Sequence, residues 1–226
     1  MNYNKGEKLI TDLLLNPRLF EKQQKGYSLL KEFFRGMPIE ALIPLLKSND
    51  GIILKTGISI VSEMGDKVCS LMPYIATLIN SEDAFIRYCT LECILLCGKG
   101  EYVNEFIHLI NSINIKDGNS KHLEMLLLYN AEMAQLEEGY KLVSENKIAD
   151  HKLHEYGLNK LMNRNNSEEE IIEMLDSVEP LTQRYGAIIS ARIYERSPEL
   201  IKHALQSTDH DVKEFAKLII DLYQDD

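Results

Sequence analysis

The chain has 226 residues, 45% of them hydrophobic and 27% charged, with a formal net charge of −10. These are the proportions of a soluble globular protein, long enough for one large domain or a short repeat array. The acidic balance argues against non-specific binding to nucleic acid or to an anionic membrane, which need clustered Lys and Arg; it suits a basic protein partner, or solubility alone.

In chain order, the first residues, MNYNKGEKLITDLLLN, lack the apolar stretch and small-residue cleavage site of a signal peptide. No later apolar run approaches the ~18 residues of a membrane span. Four cysteines are ordinary usage for a reducing compartment, so the expected location is cytoplasmic. Apolar residues recur at three- and four-residue spacing almost throughout, and strand-like alternation is scarce. Short breakers divide the periodic stretches: Asn16-Pro17, Gly36-Met37-Pro38, Asn49-Asp50-Gly51, Gly65-Asp66, Gly98-Lys99-Gly100, Asp117-Gly118-Asn119, Asn163 to Asn166, Glu179-Pro180 and Ser197-Pro198. Helices fit between them, so an all-α chain of antiparallel neighbours is expected. Ser167 followed by three glutamates reads as a helix start, a cap with acids on the positive end of the helix dipole.

Two stretches match at an offset of 83 − 50 = 33: LLKSNDGIILKTGISIVSEMG at 45–65 and LINSEDAFIRYCTLECILLCG at 78–98. Leu45 meets Leu78, Ser48 meets Ser81, Asp50 meets Asp83, Ile53 meets Ile86 and Gly65 meets Gly98. A third copy, ALQSTDHDVKEFAKLII at 204–220, puts Ser207, Asp209 and Val212 at the same places. The turn Asp is expected to cap the second helix through backbone N–H groups, and the β-branched residue three positions on to pack beneath the turn. This pattern resembles the HEAT repeat in its short bacterial form. It is clearest at 42–65, 71–98 and 200–220 and looser at 101–136 and 148–195. The resemblance implies an α-α superhelix, a right-handed solenoid of antiparallel helix pairs, over a single helical-repeat domain, 1–226. It implies no chemistry. The segment 112–119 reads as a longer exposed turn, with Asn111, Lys116 and Asp117 as a second candidate contact.

Cys89, Cys93 and Cys97 fall every four residues on one predicted helix. At the equivalent positions of the other copies stand Thr56 and Phe215, Ile60 and Ile219, and Met64. Mainly apolar counterparts mark a core stripe, in which Cys serves as a small hydrophobe. Three thiols climbing roughly 12 Å along one helix cannot share a zinc ion. His151 and His154, in DHKLHEY, share a helix face at a spacing that could take a metal; without a visible third ligand they read as a solvated polar face. No nucleophile motif, dinucleotide fingerprint or phosphate loop is present. No catalytic residue, cofactor or metal is therefore expected.

In a HEAT stack the second helices line the concave side. Their outward stripe predicts partner-binding residues Lys55, Ser59 and Glu63, then Tyr88 and Glu92, then, on a helix from about 121 to 136, Tyr129, Glu132 and Gln135. Tyr88 and Tyr129 read either as anchors facing a partner or as half-buried between helix pairs, and the acids would steer a basic partner. The expected function is a non-enzymatic binding protein, in its sharpest form an acidic immunity or inhibitor protein that blocks a basic toxin or nuclease domain; several bacterial immunity proteins are similar in architecture and charge. An adaptor gripping a peptide or helix in the same groove is the alternative. A HEAT-like DNA glycosylase is the third reading, and the acidic charge and the absence of Trp count against it.

Overall fold

The Ser-x-Asp turns dictate how three of the long helices begin. At each turn the serine hydroxyl oxygen accepts the backbone N–H of the aspartate two residues on: Asp50 N to Ser48 Oγ 3.1 Å, Asp83 N to Ser81 Oγ 3.2 Å, Asp209 N to Ser207 Oγ 3.0 Å. Each aspartate Oδ1 then accepts two N–H groups of the first helical turn, from Ile52 and Ile53, from Phe85 and Ile86, and from Asp211 and Val212. Four N–H groups at a helix start lack partners of their own, and each cap satisfies two. Ile53, Ile86 and Val212 are buried beneath the turns.

The computed structural model describes residues 4–114 and 121–224, so Lys116 and Asp117 of the predicted exposed turn lie outside the described residues. The described residues are helical, with no strand among them. They form two compact units, Met1–Cys97 and Gly98–Asp226. The boundary falls at the Gly98-Lys99-Gly100 breaker.

Met1–Cys97 contains α1 (Asn4–Leu15), α2 (Pro17–Lys22), α3 (Gly26–Phe34), α4 (Ile43–Leu46), α5 (Gly51–Glu63), α6 (Met72–Ile75) and α7 (Ala84–Cys97). The short α4 and α6 each follow a 3-10 segment, Ile39–Leu42 and Gly65–Leu71, and carry Pro44 and Pro73 near their starts. A proline has no N–H to give an i−4 carbonyl, so an α-helix begins there more readily than it passes through. Helix α5 is central, packing on α2, α3, α4 and α7. Gly57 allows α4 its close approach: a Cβ there would stand 2.8 Å from Leu45 Cβ.

Gly98–Asp226 contains α8 (Phe106–Ser112), α9 (Lys121–Tyr129), α10 (Met133–Asn146), α11 (His151–Met162), α12 (Glu168–Leu175), α13 (Pro180–Arg192), α14 (Pro198–Ala204) and α15 (His210–Gln224). The expected Ser167 cap is present as a reciprocal box with Glu170. Helix α13 packs on α9, α11, α12, α14 and α15, and residues 185–191 are all buried. Surrounded on all sides, it needs no polar face. Its Gly186 would place a Cβ 3.0 Å from Met174 Cβ of α12, matching Gly57 as the seventh residue of its helix.

The predicted helix from 121 to 136 is in fact two. Helix α9 ends at Tyr129, and Glu132 caps α10 in a box with Gln135. Helix α9 packs against α13 and α15, although α15 lies some eighty residues further along the chain. A stack that touched only sequence neighbours would leave those two apart.

Candidate functional site

Within Met1–Cys97, α5 and α7 lie side by side and carry five of the predicted partner-binding residues. The Lys55 ammonium reaches Asp83 Oδ2 at 2.6 Å. That bond, with the backbone N–H groups of Ile86 and Phe85, holds the Asp83 carboxyl below the usual carboxylate range. A little over two turns along, the charge of Glu63 on α5 bears on Glu92 of α7. Burial pushes the Glu92 carboxyl up, the Glu63 charge adds to that, and the hydrogen bond from Tyr88 opposes it. The Tyr88 phenol is pushed up to about 12 by burial and by Glu92. The neighbours across the helices are thus Lys55–Asp83 and Glu63–Glu92, about a turn lower than the repeat-equivalent positions.

Lys55, Ser59 and Glu63 line an open concavity of about 410 Å³, with Tyr27, Ile60 and Phe85. Tyr27 is 66% exposed and Phe85 47%. Sequence reasoning missed both. Phe85 could have been found from its place two residues after the cap Asp83, where a side chain points away from the packed stripe; Tyr27 left no periodic signal.

The remaining three predicted residues belong to Gly98–Asp226 and serve other ends. Tyr129 is half-buried, its hydroxyl 3.4 Å from that of Tyr223. The exposed Glu132 carboxylate takes the Lys99 ammonium at 2.9 Å. Gln135 is buried, and its amide oxygen accepts the Glu132 N–H at 3.0 Å. Tyr88, too, is half-buried.

Gly98–Asp226 has its own concavity, of about 590 Å³. Tyr129, Arg164, Arg192 and Arg196 supply its polar wall and Leu161 and Ile189 part of its apolar floor. Arg192 ends α13 and binds the loose end of α9: Nε donates to Tyr129 O at 3.0 Å, and Nη2 to Leu128 O at 3.2 Å and to Ala131 O. Orphan carbonyls at a helix end favour such a cation. The i, i+4 spacing of Arg192 and Arg196 was a signal for this basic wall; Arg164, in the turn before α12, gave none.

The cysteine stripe is buried as expected at Cys89, Cys93 and Cys97, but Cys97 is disulfide-bonded to Cys69, against the expectation of unpaired thiols. The two residues meet because the 3-10 segment Gly65–Leu71 folds back on the C-terminal end of α7. Cys89 and Cys93 are free. Burial raises the thiol of Cys89 to about 11 and that of Cys93 to about 12, so neither is a ready nucleophile. His154 corrects the reading of DHKLHEY as a solvated face. It is fully buried, with Nδ1 2.9 Å from the Tyr185 hydroxyl. The partner ring lies thirty-one residues away in sequence and was invisible to local patterning. Burial lowers His154 to about 4, with the Asp150 charge opposing. Gly157 gives the Tyr185 ring its space, since a Cβ there would stand 2.1 Å from Tyr185 Cδ2. Among the described residues no group of three His, Cys, Asp or Glu could hold a metal ion, and no helix is long and apolar enough to cross a membrane. No protein-family model matches the chain, and no curated protein matches it.

Proposed function

We propose that this chain is a non-enzymatic, HEAT-like helical-repeat module that binds a basic protein through the α5–α7 face, in its sharpest form an immunity or inhibitor protein covering the cationic surface of a toxic nuclease. The observation that carries the reading is the pair of acids Glu63 and Glu92, which no described base neutralises. The Glu63 charge adds to the burial that raises the Glu92 carboxyl, and neither residue makes an ion pair among the described residues. Crowded like charges are relieved by a cation from outside. Tyr88 at their side and the exposed Tyr27 and Phe85 supply the rigid contact area that interfaces use.

The repeat reading is supported by the three identical Ser-x-Asp turns. It is supported further by a shared ion pair: the fifth residue of one helix reaches the cap aspartate of another, Lys55 to Asp83 and Arg184 to Asp209. The proposed compartment is the cytoplasm, where reductants would hold Cys69 and Cys97 as thiols.

The test is association kinetics with a basic protein captured from lysates of the source or its competitors and then purified. Charge steering predicts an on-rate that falls at least about tenfold between low and high salt. Glu63→Gln and Glu92→Gln should each slow association several-fold. On-rates indifferent to salt and to both substitutions would sink the proposal. They would favour the adaptor reading instead, in which Tyr27 and Phe85 grip an apolar peptide.

A further inference from the structure

We infer that the arginine-walled concavity of Gly98–Asp226 is a binding site for a small organic phosphate, a phosphate monoester carried on an apolar or planar body. The inference is independent of the α5–α7 reading. Acidic residues outnumber basic ones 35 to 25 in the chain, yet this concavity is lined by Arg164, Arg192 and Arg196 and by no carboxylate. Gathering three cations costs Coulomb energy that a bound dianion recovers more fully than a monoanion.

The geometry suits a phosphate in three further ways. Arg192 is already immobilised, because Nε and Nη2 are committed to the carbonyls of Leu128, Tyr129 and Ala131. No described residue accepts from its Nη1, so a ligand would find an ordered cation without reorganising it. Arg164 and Arg196 are exposed and have no carboxylate within ion-pair distance among the described residues, so their planar forks are available for bidentate contact with phosphate oxygens. At about 590 Å³ the space lies in the range of sites for whole small molecules and is far larger than a bare phosphate needs. Leu161, Ile189 and Ile193 give the body of the ligand an apolar wall. Glu195 stands in the adjoining hollow with Tyr223, and its charge turns the phosphate toward Arg164 rather than that way.

Calorimetric titration of the full chain with adenosine monophosphate, glucose 6-phosphate and phenyl phosphate tests this, with adenosine and inorganic phosphate as controls. At least one monoester should bind at sub-millimolar concentration, and more tightly than either control. Arg164→Gln and Arg196→Gln should each weaken it about tenfold. Both residues are exposed, so the melting temperature of each variant should match the parent. Glu63→Gln and Glu92→Gln should leave this binding unchanged while slowing association with a basic protein, so the two proposals fail separately. The inference is overturned when no monoester binds at millimolar concentration, when both arginine variants bind as tightly as the parent, or when adenosine binds as well as its phosphate. A single-stranded oligonucleotide binding more tightly than the monophosphate overturns it too, in favour of a nucleic-acid site.

Discussion

The two compact units start their helices with the same turn chemistry and fill their interiors differently. Among the described residues of Met1–Cys97, Thr90 is the one fully buried polar side chain, and it spends its hydroxyl on the Ile86 carbonyl of its own helix. Gly98–Asp226 buries Lys121 with Glu124, His154 with Tyr185, and Gln135, Asn166, Gln183, Ser190 and Ser197 besides. The first unit is tied covalently, through Cys69–Cys97; the second is stitched by long-range polar bonds such as Arg184 to Asp209 and to the Ile113 carbonyl. The first interior tolerates acid, because its buried Cys89 and Cys93 thiols are already neutral and take up no proton as the pH falls. A polar interior ties its stability to the protonation and pairing of each member.

The largest expected separation of the two units comes from reductant. The disulfide spans 28 residues, and opening a loop of that size costs about 3.5 kcal/mol through the entropy of the unfolded chain. Hydrogen exchange with and without dithiothreitol should show lost protection in α5 and α7 and none in α13. Equal loss in α13 would break the comparison.

Acid should do the reverse. His154 is neutral when folded, with its pKa lowered to about 4, while the unfolded chain takes up that proton near pH 6.5. The unfolded state therefore binds more protons between those values, and stability falls as the pH drops through that window. The expected loss is about 3 kcal/mol between pH 7 and pH 4, seen as faster exchange in α11 and α13. His154→Phe should flatten that slope; a slope unchanged in the variant would remove His154 as its cause.

The smallest and sharpest comparison uses the three cap aspartates, each changed to Ala. Asp50 has only its cap to lose, about 1 kcal/mol. Asp83 also loses the half-exposed Lys55 pair, which adds a few tenths of a kcal/mol. Asp209 leaves the guanidinium of Arg184, only 14% exposed, without its nearest acid, for a total of about 3 kcal/mol. Urea unfolding should rank them Asp209 over Asp83 over Asp50. Equal losses would mean that the surroundings of the turn do not matter.

The sequence by itself determined the helical class, the Ser-x-Asp and Ser167 caps and the buried stripe of α7, because each rests on bonds or periodicities closed within a few residues. Ser48, Ser81 and Ser207 reach only two residues along the chain, and a 3.6-residue rhythm reveals which face is hidden whether Cys or Ile fills it. Lys55, Ser59 and Glu63 fall together on α5 for the same reason, since four-residue spacing keeps them on one side of their helix. Tertiary structure alone decided the rest. Helix α9 lies on α15, His154 faces Tyr185, Cys97 finds Cys69, and Arg192 closes the end of α9. Each of these joins residues 28 to 94 positions apart, and such a contact leaves no period in the sequence. It is set by which surfaces remain to be covered once the local elements have formed.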